Sequence, residues 1–595
     1  MKNLQGYKSI NVVNKLDFII KFIRSSKLLS CFSLSILFFL PVLLGFNPLT
    51  LDLISNVWFI NYYKDFYNTF NTFSSLYNAE NSILLNVFPC FYGDLAYRIC
   101  SMISVTLHIP ASKSLWIFIM ISVFFNMYIV ISAFNTKFKN KYSIILTTFI
   151  CFTTYSITNL YTRGAIMEFV ATTFLLNSLC ILQIYISTNQ HKYLYSCLFC
   201  LFFIFSCSMH PITALLGALF VIPTLPRAFL MFLSTGTARI NYIFLVLLFL
   251  FFMGSLGHFI YASLAYAKYF TVFNVAYIDI IDNFISRLLP LPFDIRMFGQ
   301  QSLDEISSPG LIAQVNIPFF LFITIITFFY SSKKSYKFYF FYMTLFFFMI
   351  VLSVLPIGFQ KIIYLIQFPY RLVTYINFIL FLSFFSIIKF SFIENIPNSL
   401  WNKFFIYIVI SVFCFFSQIY FVSHTYSTQE NYTVYHNPSS NFVPPQVYGY
   451  ADYAAYHYYK ACPSNIETSH ISLSKINDTY AKVSMFIREG IYNTNILAFP
   501  WNHITVKKSE SSAEELKNDT SAIEIPVCVG YGPAIHIAVP DDGDYTIEAR
   551  FNPPRIWTFL RSIYPWCISL LFSLTCFLAI VSHYHTKRHI PSTTS

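Results

Sequence analysis

Apolar residues in this chain gather into long unbroken runs rather than alternating with polar ones. Such runs lie near 28–46, 114–134, 143–160, 165–187, 193–209, 211–231, 241–262, 312–331, 338–357, 370–388, 404–423 and 560–582. A bilayer core of about 30 Å asks for roughly 20 apolar residues per crossing helix, so the pattern predicts about twelve transmembrane helices and an α-helical polytopic membrane protein. Segment 424–558 differs in kind. Its apolar density falls, and turn signals stand at Asn437-Pro438, Pro444-Pro445, Gly530-Tyr531-Gly532 and Asp541-Asp542-Gly543-Asp544. On either side of the last of these, 534–539 and 545–549 read as short strands. A small β-rich domain before the final helix follows from this.

Composition agrees. Residues are 56% hydrophobic and 11% charged, against about 25% charged in soluble domains, which excludes a single soluble enzyme. Aromatics at 20% exclude disorder. Gly numbers 16 of 595, so few close GxxxG-type helix contacts are expected and Phe and Tyr fill the gaps. The net charge of +12 is read against lipid headgroups, because no basic run interleaved with aromatics suggests a nucleic-acid surface.

Charge also sets the expected orientation. Residues 1–27 hold Lys2, Lys8, Lys15, Lys21, Arg24 and Lys27 against Asp17 alone, and such a segment stays in the cytoplasm. The run after it is too long for a signal-peptide core and reads as a retained helix. Short loops on the same side carry Lys137, Lys139 and Lys141; Lys192; Arg227 and Arg239; Lys333, Lys334 and Lys337; Lys389 and Lys403; Lys587 and Arg588. The expected division is a cytoplasmic 1–27, a transmembrane domain 28–423 with outer loops 47–113 and 263–311, the β-rich domain 424–558 outside, and 559–595 as last helix and cytoplasmic tail. Both termini face the cytoplasm in this scheme.

Nine cysteines (31, 151, 180, 197, 200, 207, 414, 567 and 576) fall in apolar runs and read as small packing residues, Cys197-x-x-Cys200 included. Cys90 and Cys100 in the first outer loop, and Cys462 and Cys528 in the β-rich segment, are either bridged in an oxidising compartment or free and buried. No metal site is expected. Sequons stand at Asn431, Asn477 and Asn518; they matter only in a host with N-glycosylation machinery.

Ionisable residues at helix mouths are functional candidates, because charge is costly at membrane depth. Four such places fall on the expected outer side: Asp52; Arg163 to Glu168; His210-Pro211; and Lys361 with Phe368-Pro369-Tyr370-Arg371. Each has a plainer reading: a helix cap for Asp52, a turn for His210, snorkelling for the arginines. Taken together they offer one cavity a carboxylate base and several cations. Transfer from a lipid-linked phosphate needs that combination, with Arg, Lys or His on the leaving phosphate and a carboxylate to activate the acceptor hydroxyl.

The order of these features resembles the GT-C glycosyltransferases, and more narrowly the bacterial membrane family that bears the name 6-pyruvoyl-tetrahydropterin-synthase-related. Asp52 after the first helix, Pro89-Cys90-Phe91-Tyr92-Gly93, Arg163-Gly164-Ala165 with Glu168, Phe368-Pro369-Tyr370-Arg371 and the β-domain before a final helix carry the likeness. Asn56 stands where GT-C enzymes often show a second acid or a His; Asp65, Glu80 and Asp94 are further acids of the same loop. The resemblance implies a glycosyltransferase of the cytoplasmic (inner) membrane with a polyprenyl-phosphate-linked sugar as donor and no other cofactor. It would act at the outer face on a cell-envelope glycan or lipid acceptor, with Asp52 catalytic and Arg163, Glu168, His210, Lys361 and Arg371 binding lipid phosphate and substrate. The alternatives are a non-enzymatic transporter or flippase for a lipid-linked glycan, which would favour an inverted repeat not visible here, and an assembly factor.

Two outcomes follow. Reporter fusions after Lys141 and after Asn437 should show opposite sidedness, cytoplasmic and external; equal cytoplasmic activity from both defeats the twelve-helix layout. Non-reducing peptide mapping should find Cys462 linked to Cys528, a closure stabilising by on the order of 4 kcal/mol, and recovery of two free thiols rules the bridge out.

Overall fold

The computed structural model describes residues 26–44, 51–151 (less 75, 80–82, 87 and 91–92), 160, 164–266, single positions between 375 and 385, 469–497, 501–508, 527–529 and 534–588. Its helices are α1 (Lys27–Leu43), α2 (Leu51–Phe70), α3 (Leu95–Leu107), α4 (Ala111–Asn135), α5 (Asn140–Cys151), α6 (Ile166–Thr188), α7 (Lys192–Met209), α8 (Pro211–Val221), α9 (Leu225–Ser234), α10 (Ala238–Tyr266) and α11 (Arg555–Arg588).

Among the described residues six helices are long and apolar enough to cross a membrane: Ala111–Asn135, Ile166–Thr188, Lys192–Met209, Thr213–Ser234, Ala238–Ala265 and Arg555–Tyr584. These correspond to six of the twelve apolar runs. The run at 28–46 forms α1 with 17 residues, short of the roughly 20 that a crossing asks for, and the run at 143–160 is helical as α5 over 12 residues. The runs at 312–331, 338–357 and 404–423 lie outside the described residues. So does all of 370–388 but a few positions, so the count of twelve is not reached.

Helix α6 is the centre of the bundle. Lacking a polar face, it is buried continuously from Ile166 to Tyr185, as such a helix must be. Inside the bundle Asn126 of α4 donates to Asn177 Oδ1 at 2.8 Å and to the Thr173 carbonyl at 3.2 Å.

The two ends of the bundle differ in chemistry. At one end Lys27 lies 3.7 Å from the Tyr128 ring centroid, Lys137 donates to the Phe385 carbonyl, and Lys192 donates to the Thr235 carbonyl and to Asn241 Oδ1. His191 and Ser582 meet there at 2.7 Å. Aromatic and aliphatic residues from this end, among them Phe134, Phe138, Tyr185 and Phe232, form one core cluster. The other end gathers Phe38, Phe39, Leu53, Tyr97, Leu115, Met167, Phe169 and Met209 into a second.

The strands are β1 (Tyr77–Ala79), β2 (Ile83–Asn86), β3 (Ser469–Ile471), β4 (Ser474–Asn477), β5 (Tyr480–Ile487), β6 (Gly490–Leu497), β7 (Asn502–Lys508), β8 (Val527–Val529), β9 (Ala534–Val539) and β10 (Gly543–Phe551), and they form two sheets beyond that second end, β1-β2-β6-β9-β8 with β3 also on β6, and β4-β5-β10-β7. Strands β9 (Ala534–Val539) and β10 (Gly543–Phe551) contain the two runs expected from the sequence. Along β10, Tyr545, Ile547, Ala549 and Phe551 alternate inward and meet Ile535, Ile537 and Val539 of β9 in one core, the period of two that a half-buried strand requires.

The expected outer segment 47–113 is largely helix and strand over its described residues. It folds as α2, β1 (Tyr77–Ala79), β2 (Ile83–Asn86) and α3, and it completes the first sheet: β2 pairs parallel with β6 (Gly490–Leu497) at Leu84 and Ile496. Asn78 donates to Asp478 Oδ1 at 3.0 Å, and Asn502 donates to the Leu85 carbonyl at 2.8 Å. Cys90 and Cys100 of this segment are buried free thiols. Cys528 is on β8 (Val527–Val529); Cys462, and the bridge with it, lies outside the described residues.

Candidate functional site

Four elements converge at the end of the bundle that carries the β-sheets. Asp52 falls in the first turn of α2. One turn on, Asn56 is buried and donates through Nδ2 to the Gly164 carbonyl at 3.2 Å, while Tyr97 of α3 donates to its Oδ1 at 2.8 Å. The amide orientation is fixed by these partners, since a carbonyl can only accept. Gly164 has φ +73°, a left-handed conformation that a residue with a Cβ adopts at a cost, and it turns the chain into α6. Glu168 follows in the first turn of α6, 2% exposed, where the helix dipole favours an acid.

His210 is buried between α7 and α8. Its Nδ1 accepts from the Thr213 backbone N–H at 3.2 Å and lies 2.8 Å from Thr213 Oγ1. It thereby N-caps α8, and Pro211 occupies the first helical position. Because Nδ1 accepts, the proton of the neutral ring is on Nε2. The Thr213 carbonyl accepts from the Tyr375 hydroxyl at 2.7 Å; Tyr375 stands four positions after Arg371. Arg163, Lys361 and Arg371 themselves lie outside the described residues.

A second cluster adjoins this end. Asp94, 1% exposed, accepts through one oxygen, Oδ2, from Tyr63 at 3.0 Å, from Arg98 Nε at 2.9 Å and Nη2 at 2.6 Å, and from Arg561 Nη2 at 2.6 Å. Burial alone would raise the Asp94 carboxyl. Arg561 first and Arg98 next outweigh it and hold the group down to about 2. Arg561 also meets His258 of α10, Nη1 to Nε2 at 3.1 Å. A guanidinium only donates, so His258 is neutral and carries its proton on Nδ1. Arg98 extends the cluster to the Ser74 carbonyl at 2.9 Å, and the Ser74 hydroxyl donates to Asp478 of the β-region at 2.5 Å.

Both clusters are joined through the segment before α3. A Cβ at Gly93 would fall 1.9 Å from the Ser208 carbonyl oxygen and 2.8 Å from that of Met209, so this chain lies against the last turn of α7, directly before His210. Of the residues expected to act, the described ones (Asp52 on α2, Glu168 on α6, His210 at the α7–α8 turn) sit on elements that meet. Asp94, an acid named only in passing from sequence, is instead locked in ion pairs with Arg98 and Arg561, and Arg561 is also bonded to the neutral His258. The sequence did carry a signal for the last two: ionisable residues inside apolar runs. Among the described residues no group of three or more His, Cys, Asp or Glu could hold a metal ion.

Comparisons with protein-family models, with curated proteins and with solved structures give no match.

The cluster predicts a stability effect. Arg561→Met leaves Asp94 with one guanidinium, and breaking a buried pair from one side costs about 3–5 kcal/mol, visible as a lower melting temperature of the purified protein. Asp94 is ionised more readily in the fold than in an unfolded chain. Its contribution is therefore full above about pH 4 and fades as pH falls toward about 2. Parental stability of Arg561→Met would remove the cluster from the supports of the fold.

Proposed function

We propose that this protein is a polyprenyl-phosphate-dependent glycosyltransferase of the cytoplasmic membrane, with GT-C-like architecture and about twelve spans. In this reading both termini are cytoplasmic and a cell-envelope glycan or lipid accepts the sugar at the outer face. The observation that carries the reading is the bond between Asn56 and the Gly164 carbonyl. It brings the helix of Asp52 against Gly164, at the start of the described part of the element that ends at Glu168, two of the four mouths that the chemistry needs together. The Tyr375 to Thr213 bond supports a third and fourth meeting, since it ties the segment following Arg371 to the first turn after His210.

The acceptor hydroxyl attacks the anomeric carbon, the bond from that carbon to the phosphate oxygen breaks, and the phosphate leaves on its lipid. The hydroxyl proton passes to a carboxylate, assigned to Asp52. Asp94 is unsuited to that role, because a carboxyl held at about 2 by two guanidiniums is a poor base near neutral pH. Arg163 and Arg371 hold the phosphate, the planar fork of Arg meeting two oxygens at once where Lys meets one; His210 through Nε2 or Lys361 assists. Glu168, on the same element, is assigned to substrate binding with them.

Sugar transfer in membranes, with carrier retention measured on the same purified variants, tests these roles. Asp52→Asn should lose roughly 10²–10⁴-fold in transfer and keep its carrier. Arg371→Lys should lose carrier first. Full transfer by Asp52→Asn removes that residue from the mechanism. Movement of a lipid-linked glycan across vesicles without any transfer would assign a transporter instead.

A further inference from the structure

The length of the last helix sets the height of the β-region against the bilayer. From Arg555 to Tyr584 it runs 30 residues, about 45 Å at 1.5 Å per residue. A bilayer with both headgroup layers is about 40–45 Å thick, so Arg555 falls in the headgroup layer on the β-sheet side. Exposed apolar side chains start directly after it, Ile556 and Phe559 being 61% exposed each. Trp557 of the same turn is buried in the core of the β-sheets, together with Ala262 of α10. The near rim of the β-region therefore lies at headgroup depth.

Strand register gives the residues of that rim. β10 ends at Phe551, four positions before α11 begins at Arg555, so the Arg550 end of the second sheet is the end near the membrane. Tyr480 of β5 and His503 of β7 stand beside Arg550, and Lys482 stands beside Glu548. The far end carries Asp544 and the turn at Asp541-Asp542.

Charge divides along the same axis. At the near end Arg550, Arg555 and Lys482 meet one acid of the sheet, Glu548, which pairs with Lys482 and Arg550. Glu548 cancels one charge and leaves the rim positive. Asp478 is turned inward, bonded to Ser74 and Asn78. The Arg550 side chain is 64% exposed. Arg555 opens α11, where a cation opposes the helix dipole, so its own helix gives it no support. At the far end Glu489, Asp541, Asp542 and Asp544 outnumber Arg488, Lys507 and Lys508. A domain with a basic near end and an acidic far end is drawn to an anionic surface in one orientation. Ile476 of β4, 59% exposed between the levels of Lys482 and Tyr480, adds apolar contact that suits a bilayer boundary.

We infer that the near rim of the second sheet, Arg550 with Arg555 and Lys482, docks on the headgroups of anionic phospholipids. The docking holds the β-sheets at a fixed height over the end of the bundle, in addition to the ion cluster at Asp94. It rests on the membrane reading alone and is independent of sugar transfer. Each cation near such a surface is worth about a fivefold change in affinity, and the attraction fades beyond a Debye length of about 8 Å in physiological salt.

Native mass spectrometry of the full-length protein, released from micelles holding equal phosphatidylglycerol and phosphatidylcholine, tests the inference. The parent should retain phosphatidylglycerol in excess. Arg550→Gln and Arg555→Gln should each lower the retained ratio about fivefold, and added NaCl should lower it as well. Lys507→Gln, toward the far end, should leave the ratio at the parental value. Melting temperatures in phosphatidylcholine alone control for folding and should match the parent, since these side chains are exposed; Lys482→Gln reads the same rim if either arginine variant fails to fold. Parental ratios in both arginine variants, or an equal loss in Lys507→Gln, would overturn the docking. Capture of a soluble anionic polysaccharide through Arg550 and Arg555, without preference for phosphatidylglycerol, would assign the rim to a glycan and overturn it too.

Discussion

The described structure depends on one shared oxygen. Asp94 Oδ2 takes hydrogen bonds from two guanidiniums and a tyrosine, and the partners come from three parts of the chain: Tyr63 on α2, Arg98 on α3 and Arg561 on the last helix. None of these charges could be buried alone, since the effective penalty is several kcal/mol per ion and only close pairing offsets it. The cluster fixes the start of α11 against α10 through His258 and against the segment after α2. The β-sheets follow, because their strands arise on both sides of it: β1 and β2 before Asp94, β10 directly before α11.

From that frame the candidate site is approached along two short paths, both leaving from the region of α3. One runs from Gly93, pressed on the Ser208 and Met209 carbonyls, to the His210 turn. The other runs from Tyr97 through Asn56 to Gly164. A 13-residue helix, too short to cross a bilayer, thus connects the ion-paired anchor to the two turns that carry proposed substrate-binding residues. The opposite end of the bundle has another chemistry, lysines bound to carbonyls and to Asn241, as the short basic loops of the sequence led one to expect.

Helices were the most legible part of the sequence. Runs of about 20 apolar residues leave few alternatives, and 114–134, 165–187, 193–209 and 241–262 reappear nearly unchanged as α4, α6, α7 and α10. The strands at 534–539 and 545–549 were legible from alternation and from the turn at Asp541–Asp544. Segment 47–113 was not. Its strands are three and four residues long, too short to show a period, and their partners lie some 400 positions away, as the Asn502 to Leu85 bond shows. The ion cluster was hidden for the same reason: Asp94 and Arg98 are a local i,i+4 pair, but Arg561 is 467 positions from Asp94. At the candidate site, residue types at helix mouths were readable while the bond from Asn56 to the Gly164 carbonyl, 108 positions away, was not.

Whether these turns serve a lipid-borne phosphate is decided most directly by what the protein carries from its own membrane. Mass spectrometry of lipids extracted from the full-length protein, purified in mild detergent, should find a polyprenyl phosphate, bare or sugar-linked, enriched well above its share of the starting membrane. Bulk phospholipids in their membrane proportions, with no polyprenyl species retained, would contradict the account.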